Sequence, residues 1–527
     1  MSAADTTHPH PSRSLDPEAL AHVAAILPGW LEDVRFSRRQ SGLQAAIWYD
    51  GEVVANVAVG DADMEAPTPL LPTHRLRIAS HSKMFTALAV MRLVERGRLR
   101  LDDTVGERVA ALADSPVADR TLRDLLSHSA GISRDSTDSR WWRLGTPFPD
   151  RRQLLELCRS HAVVTEPGVH LQYSNIGYGI LGLVIEEATD APFAEAVNEL
   201  VLEPVGIDEI GPDLPADAAG PEQADGFALG HTAMLHGPRR PVEQIPTGAL
   251  AAATGFWATA SAIASFAGEV LTHDALLQPR SLREMRRRVW TVRDGGHYGL
   301  GLQEGRFHGF AAIGHSGGFP TGLTRTWAVP RERLAVSVLG TAVDAPSSEL
   351  AVGILGLVAL AAGRPAPEAD SWEGAAALGG ASDGRERPAV LAEQDPVRIH
   401  DRQLDGADVA ALVEGTYDSL WGRSRIARIG DRLFCLDGAA TDPASTALEL
   451  ALDGVQEDPI TPGARCIRLM TWGDAGYGTW AEPLLARVAD ESGSLRCTGV
   501  IDTGQVLTPS DKFVMPDRVV RPRGGAL

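Results

Sequence analysis

The sequence predicts an α+β unit followed by a smaller all-β unit, and three observations carry that prediction. Strand-like alternation at both ends of the first 363 residues encloses a helix-patterned middle. Composition then shifts at Arg364 to Ala, Gly, Pro and charge. Beyond about residue 400 the chain reads as short alternating strands broken by Gly and Asp.

Taken in order, residues 1–15 are polar, with two Pro and two His, and read as a disordered tail. The first unit spans 16–363. AAIWYDGEVVANVAVGDAD (45–63) alternates around Asp50-Gly51, a dipeptide suited to the positive φ of a tight hairpin turn. HRLRIAS (74–80) is a short strand-like approach to a largely apolar helix expected from about Ser80 to Arg98. Helical pattern continues to about residue 290, including RTLRDLLSHSAGIS (120–133) and a helix after Asn175. Strands return over 308–340, turning at Pro330–Arg333, and a helix from Ser348 closes the unit. An antiparallel sheet built from both ends of the unit, with flanking helices, fits this order. Residues 364–400 read as a linker, and 401–527 as a C-terminal β domain, barrel-like in its many short strands. No fixed-period repeat stands out.

Bulk properties narrow the function. The 527 residues are 44% hydrophobic, enough for two cores, and the net charge of −20 argues against nucleic acid or an anionic membrane surface as partner. The apolar run LAVGILGLVALAA (350–362) is too short to span a bilayer. Cys158, Cys435, Cys466 and Cys497 show no metal-ligand spacing and read as buried thiols of a reducing compartment. With no secretory pattern at the start, the cytoplasm is the expected location. No cofactor motif stands out and HExxH is absent, so neither cofactor nor metal is expected, and a homo-oligomer is left open.

Only two lysines occur, Lys83 and Lys512; every other basic residue is Arg. Lys83 lies three residues after Ser80, one helical turn on and on the same face. Arginine stays protonated under any protein condition, whereas a desolvated lysine can exchange a proton with a hydroxyl. Ser80 and Lys83 form the only S-x-x-K in the chain. The plain alternative is a helical Lys beside an N-cap Ser.

Two further motifs follow: Tyr173-Ser174-Asn175 in EPGVHLQYSNIGYG, and His315-Ser316-Gly317 in IGHSGGFPTG. Alone, Tyr173 reads as structural, Asn175 as a helix N-cap and His315 as a strand histidine. Together and in this order, over about residues 30–363, they resemble the penicillin-recognising serine hydrolases. Within these the chain is most similar to the class C β-lactamase and D-aminopeptidase branch (peptidase S12-like). The resemblance implies a β-lactamase-like/transpeptidase-like fold for the first unit. It also implies roles: Ser80 as a nucleophile that becomes acylated, Lys83 and Tyr173 as the proton-transfer system, and Asn175 orienting Lys83 and the substrate amide. His315, Ser316 and Gly317 become the third, substrate-binding motif, with the backbone N–H groups of Ser80 and Gly318 as oxyanion hole.

One departure narrows the substrate. β-Lactamases and carboxypeptidases of this group begin the third motif with Lys; His315 is a poorer anchor for a carboxylate. The resemblance then points to D-aminopeptidase-like and esterase-like members, hence to amide or ester bonds of small molecules or short peptides, with D-configured residues preferred. An acyltransferase using the same acyl-enzyme, and a non-catalytic penicillin-binding-like sensor, are the alternatives. His128, His231 and His236 have no evident partners and read as structural, while Trp141-Trp142 read equally as core or as the wall of an apolar pocket.

Overall fold

The computed structural model describes residues 15–66, 68–160, 162–214, 226–292, 296–364, 389–472 and 482–516. Most of the expected tail (1–14) and linker (365–388) lies outside these.

The hairpin at Asp50-Gly51 forms as expected: Gly42–Tyr49 pairs with Glu52–Asp63, and both turn residues have positive φ, 47° and 101°. Gly42–Tyr49 also pairs antiparallel with Leu334–Gly340, Leu43 opposite Gly340 and Tyr49 opposite Leu334. This pairing joins the two ends of the first unit in one nine-stranded sheet. Across it from the hairpin run Leu334–Gly340, Gly322–Val329, Phe310–Phe319 and Gln303–Phe307, with two short strands at the edge.

Helices Pro17–Ser37 and Ser347–Ala361 cover one face, burying Leu27, Leu31, Ile354 and Leu355 against Ile47 and Val336. The helical body covers the other face, where Ser82–Glu95 and Ala260–Thr272 meet through Phe85, Phe256 and Phe266, with ring centroids 4.2–4.5 Å apart. Ser82–Glu95 buries residues on nearly every side, so its apolar composition reflects a helix enclosed by protein.

Two helices are shorter than the pattern predicts. The segment 120–133 is helical only over Leu122–Leu126, because His128 adopts a left-handed φ of 59° and the chain turns away. The helix expected over 80–98 is a 3-10 turn, Ala79–His81, running into an α-helix that stops at Glu95, before Gly97.

The second unit is a closed barrel of eight antiparallel strands from Gly415–Ser419 to Gln505–Pro509, the last strand pairing with the first. Alternate residues such as Ile426, Leu433, Leu450, Ile467 and Val500 fill it. The linker boundary at 400 needs correcting. Val397–Ile399 pairs with Arg402–Leu404 across it, and Leu391, Val397 and Ile399 already belong to the barrel's core. Their apolar side chains are sparse among charged neighbours, so composition alone hid them.

Candidate active site

Ser80 sits in the 3-10 turn at the head of the central helix, and sequence-distant elements hold that turn. Ala79 carries a left-handed φ of 47°, a conformation costing a non-glycine residue about 1–3 kcal/mol. The Ile78 N–H donates to the Phe256 carbonyl at 2.9 Å, and the Phe256 N–H donates to Ser82 Oγ at 3.0 Å. His81, fully buried, bridges Ile78 O through Nδ1 (2.8 Å) and Thr326 Oγ1 through Nε2 (3.0 Å). Burial pushes its pKa down to about 3, so it is a neutral strut. From the sheet side Gly317 packs so closely that a Cβ there would stand 2.1 Å from Ile78 O.

Lys83 is completely buried. Its ammonium donates to Ser80 Oγ (3.2 Å), Asn175 Oδ1 (2.7 Å) and the Ala253 carbonyl (2.9 Å). Burial pushes its pKa well below the usual lysine value; Arg134 adds to the shift and Asp135 opposes it. The Tyr173 ring centroid lies 4.7 Å from Lys83 Nζ. Tyr173 and Asn175 arrive together because Ser174 caps the helix Asn175–Thr189, its Oγ accepting from the Gly177 N–H at 2.8 Å.

A cavity of about 590 Å³ opens here, lined by Ser80, Tyr173, Asn175, Ser316 and Gly318. Successive strand residues face opposite sides, so Ser316 and Gly318 point into it while His315 does not. His315 is buried, its Nδ1 bonded to Ser316 O (2.7 Å) and its Nε2 to the Tyr298 hydroxyl (3.1 Å). Burial, with His81 and Lys83 nearby, holds its pKa well below the usual histidine value, leaving no fixed cation in the third motif.

The barrel supplies the opposite wall, including Ser419, Trp421, Glu482, Asp502 and Leu507. It docks where Ser139 donates to the carbonyls of Gly504 and Thr503 (both 2.9 Å), and where Trp421 Nε1 donates to Trp142 O (3.2 Å).

A beta-lactamase family model matches residues 27–360. The chain belongs to the beta-lactamase family. A stretch of 215 residues is 35% identical to esterase EstB of Burkholderia gladioli, covering 38% of this chain and 55% of EstB. Another, of 172 residues, is 29% identical to protein flp of Staphylococcus aureus, covering 31% of this chain and 33% of that protein. The chain thus matches between a third and just over half the length of these relatives. The octameric penicillin-binding protein homologue from Pyrococcus abyssi shares the fold over 90% of this chain and 98% of its own, with a TM-score of 0.57 at 22% identity. The α+β fold and the barrel-like second unit expected from the sequence are both borne out, the barrel being closed.

Several site residues of this beta-lactamase-family chain escaped the sequence reading. His128 is not partnerless: the Ser174 N–H donates to its Nδ1 (3.1 Å), and its ring lies 4.1 Å from that of Tyr173. Its place in SHSAG beside the helix end was the available signal. His231 and His236 are bonded to Thr341 O and Ser419 O, and the latter ties the two units together. The tryptophans divide: Trp142 lines the cavity edge-to-face with Trp421 at 6.3 Å, whereas Trp141 packs in the core. Asp135, Ala253, Glu482 and Asp502 carry no motif. Glu482 Oε1 accepts from the Arg134 backbone N–H and from Gln172 Nε2, and burial pushes its pKa up to about 8. Desolvation against the cavity wall also raises Asp502, although the residue as a whole is exposed. The four cysteines are unpaired thiols. Among the described residues no metal-ligating cluster occurs, and no helix is long and apolar enough to cross a membrane.

Proposed function

We propose that this chain is a serine hydrolase that cleaves amide or ester bonds of small molecules or short peptides through an acyl-enzyme on Ser80. The observation carrying this reading is the wholly buried Lys83, 3.2 Å from Ser80 Oγ and biased by burial toward its neutral form. Ser80 Oγ attacks the substrate carbonyl carbon while its proton passes to Lys83. Tyr173, beside Lys83, relays a proton to the leaving group as the carbonyl–leaving-group bond breaks, and the pair titrates as one unit. The backbone N–H groups of Ser80 and Gly318 receive the developing oxyanion, each contributing about 3 kcal/mol. Water then releases the acyl group by the reverse sequence.

The neutral His315 weighs against a substrate held by its carboxylate. Glu482 and Asp502 on the barrel wall, carboxyls held toward their neutral form until a cation enters beside them, favour a substrate bearing an amine, a D-configured N-terminal residue included, and Trp142 with Trp421 favours an apolar side chain. The unpaired thiols support a reducing compartment, the cytoplasm being the simplest.

Intact-mass spectrometry after exposure to p-nitrophenyl esters and to D- and L-aminoacyl p-nitroanilides tests this. The expected result is one acyl group, absent in Ser80→Ala, with free-amine substrates outrunning their N-acetyl forms. Product analysis with an added amine separates hydrolysis from acyl transfer. A Ser80→Ala protein with undiminished turnover would overturn the proposal.

A further inference from the structure

We propose that Asp135 is a positioning residue: its carboxylate fixes the Asn175 amide so that the lone pair of neutral Lys83 faces Ser80. This rests on the acyl-enzyme reading above and says how the amine is aimed.

The ammonium of Lys83 has three hydrogens, and three oxygens face it. When it gives up a proton, two N–H groups and one lone pair remain. The Ala253 carbonyl only accepts, so it keeps one N–H. Asn175 decides where the lone pair goes. With Oδ1 toward Lys83 it takes the second N–H, and the lone pair is left for the Ser80 hydroxyl. Turned over, the amide would offer Nδ2 as a donor, and the lone pair would be spent on Asn175.

Asp135 selects between these two states. Fully buried, it accepts from Asn175 Nδ2 at 2.7 Å, and a carboxylate cannot serve the amide's oxygen. The selecting group is itself held. Arg134 Nε donates to it at 3.2 Å, and the Arg134 carbonyl accepts from the N–H groups of Asn175 (2.8 Å) and Ile176 (3.3 Å). Asn175 is therefore tied to the 134–135 pair by both backbone and side chain. The barrel grips the same pair, since the Arg134 N–H donates to Glu482.

Charge gives a second signature. The groups around Lys83 are Arg134, Asp135, Tyr173, Tyr178, His128 and His315. The two histidines are held neutral by burial, so Asp135 and Arg134 are the fixed charges that act on the amine, with opposite signs.

The test measures kcat/KM for a p-nitrophenyl ester against pH in the full chain, with Asp135→Asn and Arg134→Gln. On the plateau, where Lys83 is neutral in every variant, D135N should fall at least about tenfold, because a side-chain amide in place of the carboxylate can face Asn175 with either its oxygen or its nitrogen and so no longer dictates which way Asn175 turns. Its acid limb should move to lower pH, as the charge favouring the ammonium is gone. R134Q keeps the Asp135 acceptor but loses one of its holds, so its plateau should fall less than that of D135N while its limb moves to higher pH. A D135N plateau within about twofold of wild type, or limbs that stay put or move together, would overturn the inference. If D135N does not fold, R134Q alone decides by the direction of its limb. Labelling of wild-type Ser80 by a fluorophosphonate is the control. No labelling sinks the acyl-enzyme reading itself; labelling with unmoved limbs sinks only the role of Asp135.

Discussion

Gly317→Ala perturbs the site without removing any polar group. The added methyl would sit 2.1 Å from Ile78 O, 2.9 Å from Ile78 C and 2.5 Å from Thr324 Oγ1. Ordinary contact needs about 3.4 Å, so the strand and the turn bearing Ser80 must part by about 1 Å. Neither obstacle is the free end of a flexible chain: one is backbone, the other a β-branched hydroxyl in the sheet. The gap opens between Ser80 and Gly318, the two proposed oxyanion donors. Overpacking of this kind costs about 1–3 kcal/mol in stability. A 1 Å misplacement of reacting groups costs about 100-fold in rate. The assay pairs kcat/KM for a p-nitrophenyl ester with thermal melting. The expected variant stays folded, melts a few degrees lower, and loses about 100-fold in kcat/KM, mostly in kcat. A folded G317A with activity within about threefold of wild type would show that the spacing between turn and strand does not matter, and the oxyanion assignment would go with it.

Three other outcomes are expected. Lys83→Arg keeps the charge but removes the exchangeable proton, so turnover should drop at least about 100-fold; a steady-state assay giving near-normal kcat defeats the proton role. Glu482 holds its proton in the folded chain up to about pH 8, against a usual value of 4.5. The native state therefore binds more protons than the unfolded one across that window, and stability falls as pH rises through it. Glu482→Gln should remove part of that fall, with Asp502 keeping the rest; identical denaturant midpoints against pH in both proteins would contradict this. Trp421→Ala strips an apolar face from the cavity and should raise KM for aromatic esters roughly tenfold with little change in kcat. An unchanged KM would place the substrate elsewhere.

The parts of the site legible in the sequence were those whose chemistry makes a residue type irreplaceable. Lys83 stood out because every other cation nearby in sequence is Arg, and Tyr173-Ser174-Asn175 because one short loop delivers all three. The hairpin at Asp50-Gly51 was readable because its backbone demands those residues. What stayed hidden acts through space. Asp135 is an ordinary loop aspartate until Asn175 reaches it, Ala253 contributes only its carbonyl, and Glu482 joins the site from another unit. The helix start was misplaced for a similar reason. The strained turn at Ala79 is stable only because Phe256, Thr326 and Gly317 close around it, and no local propensity records that.

The cavity has a division of labour with an evolutionary edge. The groups proposed to break the bond belong to residues 80–318, whereas Ser419, Trp421, Glu482 and Asp502 arrive on barrel loops and strand ends and Leu507 from within the last strand. Drift in those segments, Glu482 apart because it also grips Arg134, can change which molecules the proposed hydrolase accepts while the groups proposed to cut stay in place. A library confined to the barrel rim is the economical place to breed new selectivities from this scaffold.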